Sequence, residues 1–467
     1  MKLTDGYSLV LITTLGFTLK MSGADLATPG NSSGFIKPAW LTDLSLGVKE
    51  SYDDNILLVA GENPGLQPQS SWITTVSPKV GFNFAPLLGK QTTLQTLSLV
   101  YAPDFAMYHD ASSESYNAHR LGNTIKGKVD DFSFLLDNAF LFNDGSTTAP
   151  TYALNQSAVA LDQADKYSSA FATGAPRERR KQIQDRATVT FQYDIGKFFI
   201  RPTATLLYYD LMTDWHNASA APYKGYQNYV DRSDVNGGLD LGYKLTSDLA
   251  ATLGYRYGHQ NQQAFPSAIN PATYQSSSDY QRVLLGLEGK PWKWLNVKLA
   301  GGPDFRAYNA TAPVDDLHLT TYYGEALMTA TLTTNQTVTV AYKQWQWVSS
   351  IGRVPYFDSS YALTYHWNAT RQLGFDLGGK FVEADYNSAS PAKTANGCRR
   401  DDGVYTVSAG ASYAFTPHFS VNLAYAHDFG LNLEENLSTI GNPSAAATAG
   451  YRDFDRQLVT LAAQYKF

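Results

Sequence analysis

The chain has 467 residues, a net charge of −6 and only 17% charged residues, with 31 Tyr, 23 Phe, 36 Gly and one Cys. So small an acidic excess gives no electrostatic case for a nucleic-acid partner, and a lone cysteine, Cys398, excludes an intrachain disulfide. Abundant aromatic and small residues with few charges fit many strands joined by polar loops.

At the N-terminus, Lys2 precedes an apolar run from Tyr7 to Leu19, and Ser22 and Ala24 are small residues of the kind a signal peptidase reads. Residues 1–24 are therefore expected to be a cleaved export signal. Residues 25–42 are rich in Gly, Ser, Pro and Asn and read as a flexible lead-in to a single body over 43–467. After residue 24 no apolar stretch approaches the ~18 residues that a spanning helix needs. An exported chain without spanning helices but with many alternating strands is either a secreted β-protein or a membrane barrel.

The first strand runs near Leu44 to Tyr52, with Leu44, Leu46 and Val48 on one face and Ser45, Gly47 and Lys49 on the other. A polar loop follows at Asp53-Asp54-Asn55. The second strand, about Ile73 to Phe84, sets Val76, Val80, Phe82 and Phe84 against Thr75, Ser77, Lys79 and Asn83, and Leu94 to Tyr101 starts the return. The same period of two recurs near 115–128, 131–142, 183–194, 197–211, 232–244, 248–260, 279–290, 293–307, 319–333, 335–346, 357–367, 370–385, 403–415, 418–429 and 453–467. The count is eighteen, or sixteen if the pair over 115–142 is misread.

Connections between these strands alternate in length. Tight turns such as Val129-Asp130, Ile195-Gly196, Thr334-Asn335 and Thr416-Pro417 alternate with long polar links, among them 104–114, 143–182, 212–231, 347–356 and 430–452. Short turns on one side and long loops on the other are the asymmetry of a transmembrane, antiparallel, up-and-down β-barrel, and an even count returns both chain ends to the short-turn side. Aromatic residues divide the same way. Trp292, Trp294, Trp367, Tyr413, Phe415, Phe419, Tyr465 and Phe467 lie by short turns, while Tyr208, Tyr209, Tyr255, Tyr257, Trp345, Trp347 and Tyr425 lie toward long loops, as two interfacial girdles would.

In the last twelve residues, Val459, Leu461, Ala463, Tyr465 and Phe467 share one face, and the chain ends on the aromatic itself. That ending resembles the terminal strand of bacterial outer-membrane β-barrels. The resemblance implies that Tyr465 and Phe467 serve as the closing strand's signal to the barrel-assembly machinery. The opening stretch, Leu44-Ser45-Leu46-Gly47-Val48-Lys49-Glu50-Ser51-Tyr52-Asp53-Asp54-Asn55-Ile56 followed by Val76-Ser77-Pro78-Lys79-Val80, resembles the start of the β-barrel porin 2 group of outer-membrane proteins. There a Tyr-x-Asp-Asn-like turn leads into a second strand carrying a Pro. The match covers roughly the first sixty mature residues and implies a barrel in the bacterial outer membrane more than it implies a substrate.

If the apolar face meets lipid, the other lines the lumen. Charge placement is then nearly forced, because Arg or Lys at mid-depth on the lipid face costs about 2–4 kcal/mol. The inward basic residues would be Lys49, Lys79, Arg120, Lys126, Arg186, Arg201, Arg256, Arg282, Lys298, Arg306, Lys343, Lys380 and Arg456. The acidic set is smaller: Asp137, Asp234, Asp240, Glu288, Asp304, Glu325, Asp376 and Asp428. The basic excess suggests anion-biased passage. Within the longest link, 157–172 is rich in helix formers and precedes Arg177-Glu178-Arg179-Arg180-Lys181, so this loop is expected either to narrow the mouth or to bind lipopolysaccharide phosphates.

No metal-ligand spacing links the eight histidines, and no nucleotide fingerprint occurs, so no cofactor, metal or enzymatic role is expected. His109 with Asp110, and Asp214 with His216, are the nearest approaches to a hydrolytic pair. The reading is a porin-like channel for passive diffusion of small hydrophilic solutes, in contact with outer-membrane lipid and lipopolysaccharide. Export of a polysaccharide, or an adhesive barrel with a closed lumen, are the alternatives. Homo-oligomerisation leaves no readable mark.

Overall fold

Hydrophobic alternation places a strand wherever a two-residue period persists, and the ladders follow it. The computed structural model describes residues 37–58, 68–89, 93–144, 181–212, 230–263, 275–312, 314, 316–348, 355–385, 401–432 and 453–467. The export signal, most of the lead-in, the 157–172 segment, residues 177–180 of the basic run, Cys398 and the Asp214/His216 pair lie outside the described residues.

The strands are β1 (Leu41–Asp53), β2 (Ser71–Asn83), β3 (Leu94–Tyr101), β4 (Asp104–Tyr108), β5 (Tyr116–Val129), β6 (Phe132–Asn143), β7 (Gln182–Ile195), β8 (Phe198–Asp210), β9 (Arg232–Lys244) and β10 (Leu249–Gln262). They continue as β11 (Ser278–Trp292), β12 (Leu295–Tyr308), β13 (His318–Thr333), β14 (Gln336–Trp347), β15 (Tyr356–Asn368), β16 (Leu373–Asp385), β17 (Asp401–Ala414), β18 (Phe419–Asn432) and β19 (Phe454–Lys466). Each pairs antiparallel with its neighbours, and β19 pairs with β1 from Ser45↔Lys466 to Asp53↔Leu458, which closes the sheet into a barrel.

Both β3 and β4 lie between β2 and β5 and together form one stave, so nineteen strands make an eighteen-stave barrel. The link read from sequence over 104–114 thus begins as strand: Asp104–Tyr108 continues the third stave. The break falls at Ala102-Pro103, where proline has no N–H to give the ladder. Likewise Asp53 belongs to β1 rather than to a loop, and β1 begins two residues before the expected body, at Leu41.

Side chains sort as the period requires. Leu46, Val48, Ile200, Leu239, Leu253, Leu285, Leu363, Leu423 and Leu461 are exposed on the outer face. Trp292, Trp294, Trp367, Phe415, Phe419, Tyr465 and Phe467 are exposed beside the short turns, and Tyr208, Tyr255, Tyr257 and Tyr425 toward the long links. A closed barrel satisfies all backbone groups within the sheet, and an apolar belt between two aromatic girdles suits only lipid. The protein is a membrane-spanning barrel of the bacterial outer membrane.

Tyr209, Trp345 and Trp347 do not join the upper girdle as expected, for all three are buried on the inner face. Tyr209 follows Tyr208 and so takes the opposite side of β8; Trp345 and Trp347 share the inner row of β14 with Lys343. The tight turns need left-handed backbone at Asp130 (φ 49°) and Gly196 (φ 61°), which Gly and Asp tolerate.

Candidate functional site: the lumen and its inward-folded tip

On the inner rows most guanidinium groups meet carboxylates. Arg120 Nη1 donates to Asp104 Oδ2 at 2.6 Å, and Arg256 Nη1 stands 2.7 Å from Asp240 Oδ1. Lys79 Nζ reaches Asp43 Oδ2 at 2.6 Å. Arg201 Nη1 donates to Glu288 Oε2 at 2.8 Å, its Nη2 meets the other oxygen, and its Nε donates to Gln192 Oε1 at 2.9 Å. This strap from β8 to β11 passes over β9 and β10. Arg201 also stacks 4.6 Å from the Phe199 ring, for which Gly242 makes room: a Cβ there would stand 1.9 Å from that ring.

Farther up, a second cluster joins β9 to β13. Arg282 Nε donates to Asp304 Oδ2 at 2.6 Å, and Arg306 Nη2 to the same oxygen at 3.0 Å. The Arg282 guanidinium stacks 4.1 Å from the Tyr280 ring centroid and 4.6 Å from that of Tyr323, while Tyr280 donates its hydroxyl to Asp234 at 2.8 Å. Lys298 is 3.9 Å from Glu325 and its side chain remains 66% exposed; Lys343 lies over Trp345 at 5.0 Å. Arg186 and Lys380 occupy inner-row positions of β7 and β16, opposite Leu207 and Thr406 respectively.

Alternation would have found several inner residues that motif reading passed over. Asp43, Asp53, Asp104, Asp194 and Asp358 add acids to these rows, and Arg232 and Lys244 add cations. The basic excess is therefore smaller than the strand cores alone suggest, and much of the positive charge is neutralised locally.

The end of β14 departs from the wall. Its ladder with β13 begins only at Gly324↔Gln344, although β14 continues to Trp347 against β15. Beyond Gln344 the chain leans across the lumen. Gln346 O accepts from Gln260 Nε2 of β10 at 2.8 Å and from Arg306 Nη2 of β12 at 3.3 Å, and Val348 O accepts from Arg232 Nη1 of β9 at 2.9 Å. Trp347 packs 4.5 Å from Trp345 and 6.1 Å from Tyr209, with the Arg232 guanidinium 5.1 Å from both the Trp347 and Tyr209 rings.

One apolar cluster joins these residues to Val382, Ala384, Val404 and Phe454 on the far wall and to Leu58 after β1. Staves β8 and β17 stand opposite in an eighteen-stave ring, and the cluster holds Tyr209 of one and Val404 of the other, so it bridges the upper lumen. Leu58 holds left-handed backbone (φ 49°), a strain of about 1–3 kcal/mol offset by its complete burial. Below the long link after β8, burial raises the Asp231 carboxyl above its ordinary range; the Leu211 N–H at 2.9 Å opposes this and Asp210 adds to it.

At the outer rim His109 Nε2 lies 2.8 Å from Thr74 Oγ1 and 3.7 Å from Glu50. Asp110 instead accepts the Trp72 N–H. Because Glu50 approaches the same ring nitrogen as Thr74, the set lacks the relay of a hydrolytic triad, in which the carboxylate orients the far nitrogen.

No family model matches the sequence, and no curated protein matches it. Among solved structures, Pseudomonas aeruginosa OpdO aligns at 12% identity over 91% of this chain and 97% of its own, with a TM-score of 0.42. The outer membrane protein opdK from Pseudomonas aeruginosa aligns at 10% identity over 91% and 99%, TM-score 0.42. The siderophore receptor PirA from Acinetobacter baumannii aligns at 10% over 91% and 81%, TM-score 0.38. Likenesses at this level add nothing to what the ladders themselves establish.

Proposed function

We propose that the protein is a porin-like channel through which small hydrophilic solutes diffuse across the outer membrane. The observation that carries this reading is the closed eighteen-stave barrel with charged and polar inner rows, since rings of sixteen to eighteen strands leave an aqueous channel rather than a packed core. The inward-folded end of β14 narrows that channel. Purified protein added to a planar bilayer is expected to give ohmic steps in conductance; a bilayer that stays silent at saturating protein overturns the reading.

Selectivity is expected to be weakly anionic. Most arginines are paired, so the bias rests on inner-row lysines that keep exposed side chains, notably Lys126 and Lys298. Under a salt gradient the reversal potential should carry the sign of anion preference, and Lys126→Gln with Lys298→Gln should reduce it. Cation preference in the unaltered protein would sink this part.

The closing strand is proposed to engage the assembly machinery through Tyr465 and Phe467. Phe467 N–H donates to Leu44 O at 2.9 Å at the short-turn rim, below the last β1–β19 pair. Deleting Phe467 should lower the folded fraction seen on unheated gels while leaving the conductance of molecules that do insert unchanged.

A further inference from the structure

Three observations at the outer end of the lumen do not follow from a simple water-filled pore. First, β13 starts at His318 but pairs with β14 only from Gly324, so among the described residues His318–Tyr322 have ladder partners on the β12 side alone. This break lies at the long-link end of the wall. Backbone groups facing lipid are normally satisfied within the sheet, which makes an unzipped seam there the place where the wall is least sealed. Second, the space behind the break is apolar, although the inside of a diffusion pore is expected to be polar.

Third, hydrogen-bond donors in that apolar cluster stand idle. Arg232 is 1% exposed and Trp347 is fully buried, yet Arg232 Nε and Nη2 and Trp347 Nε1 have no hydrogen-bond partner among the described residues. Buried donors left unmade are costly, so the packed arrangement favours any ligand that brings acceptors to them. Of these donors' neighbours, Arg232 Nη1 is used among the described residues, holding Val348 O and with it the tip.

We propose that this cluster is a binding site for an amphiphile with one acidic head and an aliphatic body, admitted laterally from the outer leaflet through the break between β13 and β14. The head accepts from Arg232 Nε and Nη2 and Trp347 Nε1. The body takes the place of the tip's own packing against Tyr209, Val382 and Phe454, and the tip swings toward the vacant edge of β13. The site needs the barrel but not the diffusion reading, so binding and conductance can fail independently.

The test uses the full chain in lipid nanodiscs, with 2-bromododecanoic acid as probe, because bromine quenches indole emission only at contact and the 2-position lies beside the head. Saturable quenching is expected, and it should disappear in Trp345→Phe with Trp347→Phe. Arg232→Met should weaken the acid about tenfold, and Arg232→Lys should restore part of that affinity. Binding of 2-bromododecanol should be unaffected by either change. Quenching that never saturates, or that persists without the two tryptophans, overturns the site; equal loss of acid and alcohol in Arg232→Met overturns the role of the head.

The route is tested separately by joining Tyr322→Cys to Gln346→Cys in a Cys398→Ser background, which zips the two strands in the register that Gly324↔Gln344 begins. Loading from vesicles that carry the acid in their membrane should become at least about tenfold slower and recover on reduction, as expected when the one path is closed. An unchanged loading rate would assign access to the aqueous mouth and overturn the lateral route.

Discussion

Replacing Trp347 by alanine is expected to raise single-channel conductance severalfold without unfolding the barrel. Trp347 is the centre of the apolar bridge: it stacks on Trp345, faces Tyr209 and lies under the Arg232 guanidinium. Truncating a buried Trp costs about 3–5 kcal/mol. That loss falls on the tip more than on the wall, because among the described residues 345–347 pair with β15 alone, while the β13–β14 ladder lies wholly below them, from Gly324↔Gln344 to Thr333↔Gln336. Three side-chain hydrogen bonds to the carbonyls of Gln346 and Val348 are too few to keep the tip across the lumen without its apolar anchor. Hydrophobic constrictions also gate by excluding water, so removing one indole opens more conductance than its volume alone supplies. Trp292→Ala, on the outer face beside a short turn, is the control and should leave conductance unchanged. If Trp347→Ala conducts like the parent protein, the tip is not the constriction.

Arg456→Ala is expected to cause the largest loss of stability of any single substitution at the closing seam. Its guanidinium is 2% exposed and donates to Asp53 Oδ2 of β1 through Nε at 3.0 Å and Nη2 at 2.7 Å, and to Asp428 Oδ2 of β18 through Nη1 at 3.0 Å. Thr406 of β17 donates to the other Asp428 oxygen at 2.6 Å. One cation thus ties the last strands to the first. Removing it leaves two buried carboxylates facing each other, and breaking a buried pair in this way costs about 3–5 kcal/mol. The urea midpoint of refolded protein should fall accordingly, and the folded band on unheated gels should weaken. Neutralising the acids as well, in Asp53→Asn with Asp428→Asn and Arg456→Met, should recover most of the loss, because no charge is then stranded. A single substitution as stable as the parent would show that the seam is held by its ladder alone.

Local periodicity carried the staves. Val48 with Lys49, Leu239 with Asp240, and Val283 with Arg282 each announce which side meets lipid, because a charge on that side is costly and a two-residue repeat offers only two sides. For the same reason the inner positions of Arg201, Arg256, Arg282 and Arg306 were legible before any partner was known. The break at Pro103 was missed because a strand interrupted for two residues looks like two short ones with a loop after them. Nearness to a long link places Tyr209, Trp345 and Trp347 with the girdle, whereas parity counted from Lys343 turns the two tryptophans inward.

What the sequence determined by itself is the stave: its length, its two faces, and the alternation of short and long links that makes a ring of staves antiparallel. Those are properties of consecutive residues, and the bilayer enforces them one strand at a time. Which charges meet across the ring, as Arg201 with Glu288 or Arg456 with Asp53, depends on the stagger between strands far apart in the chain. So does the inward lean of Trp345–Val348, for which the partners Arg232, Gln260 and Arg306 lie on staves that only closure brings within reach. Closure converts a linear order of strands into a lumen, and distances across that lumen have no counterpart along the sequence.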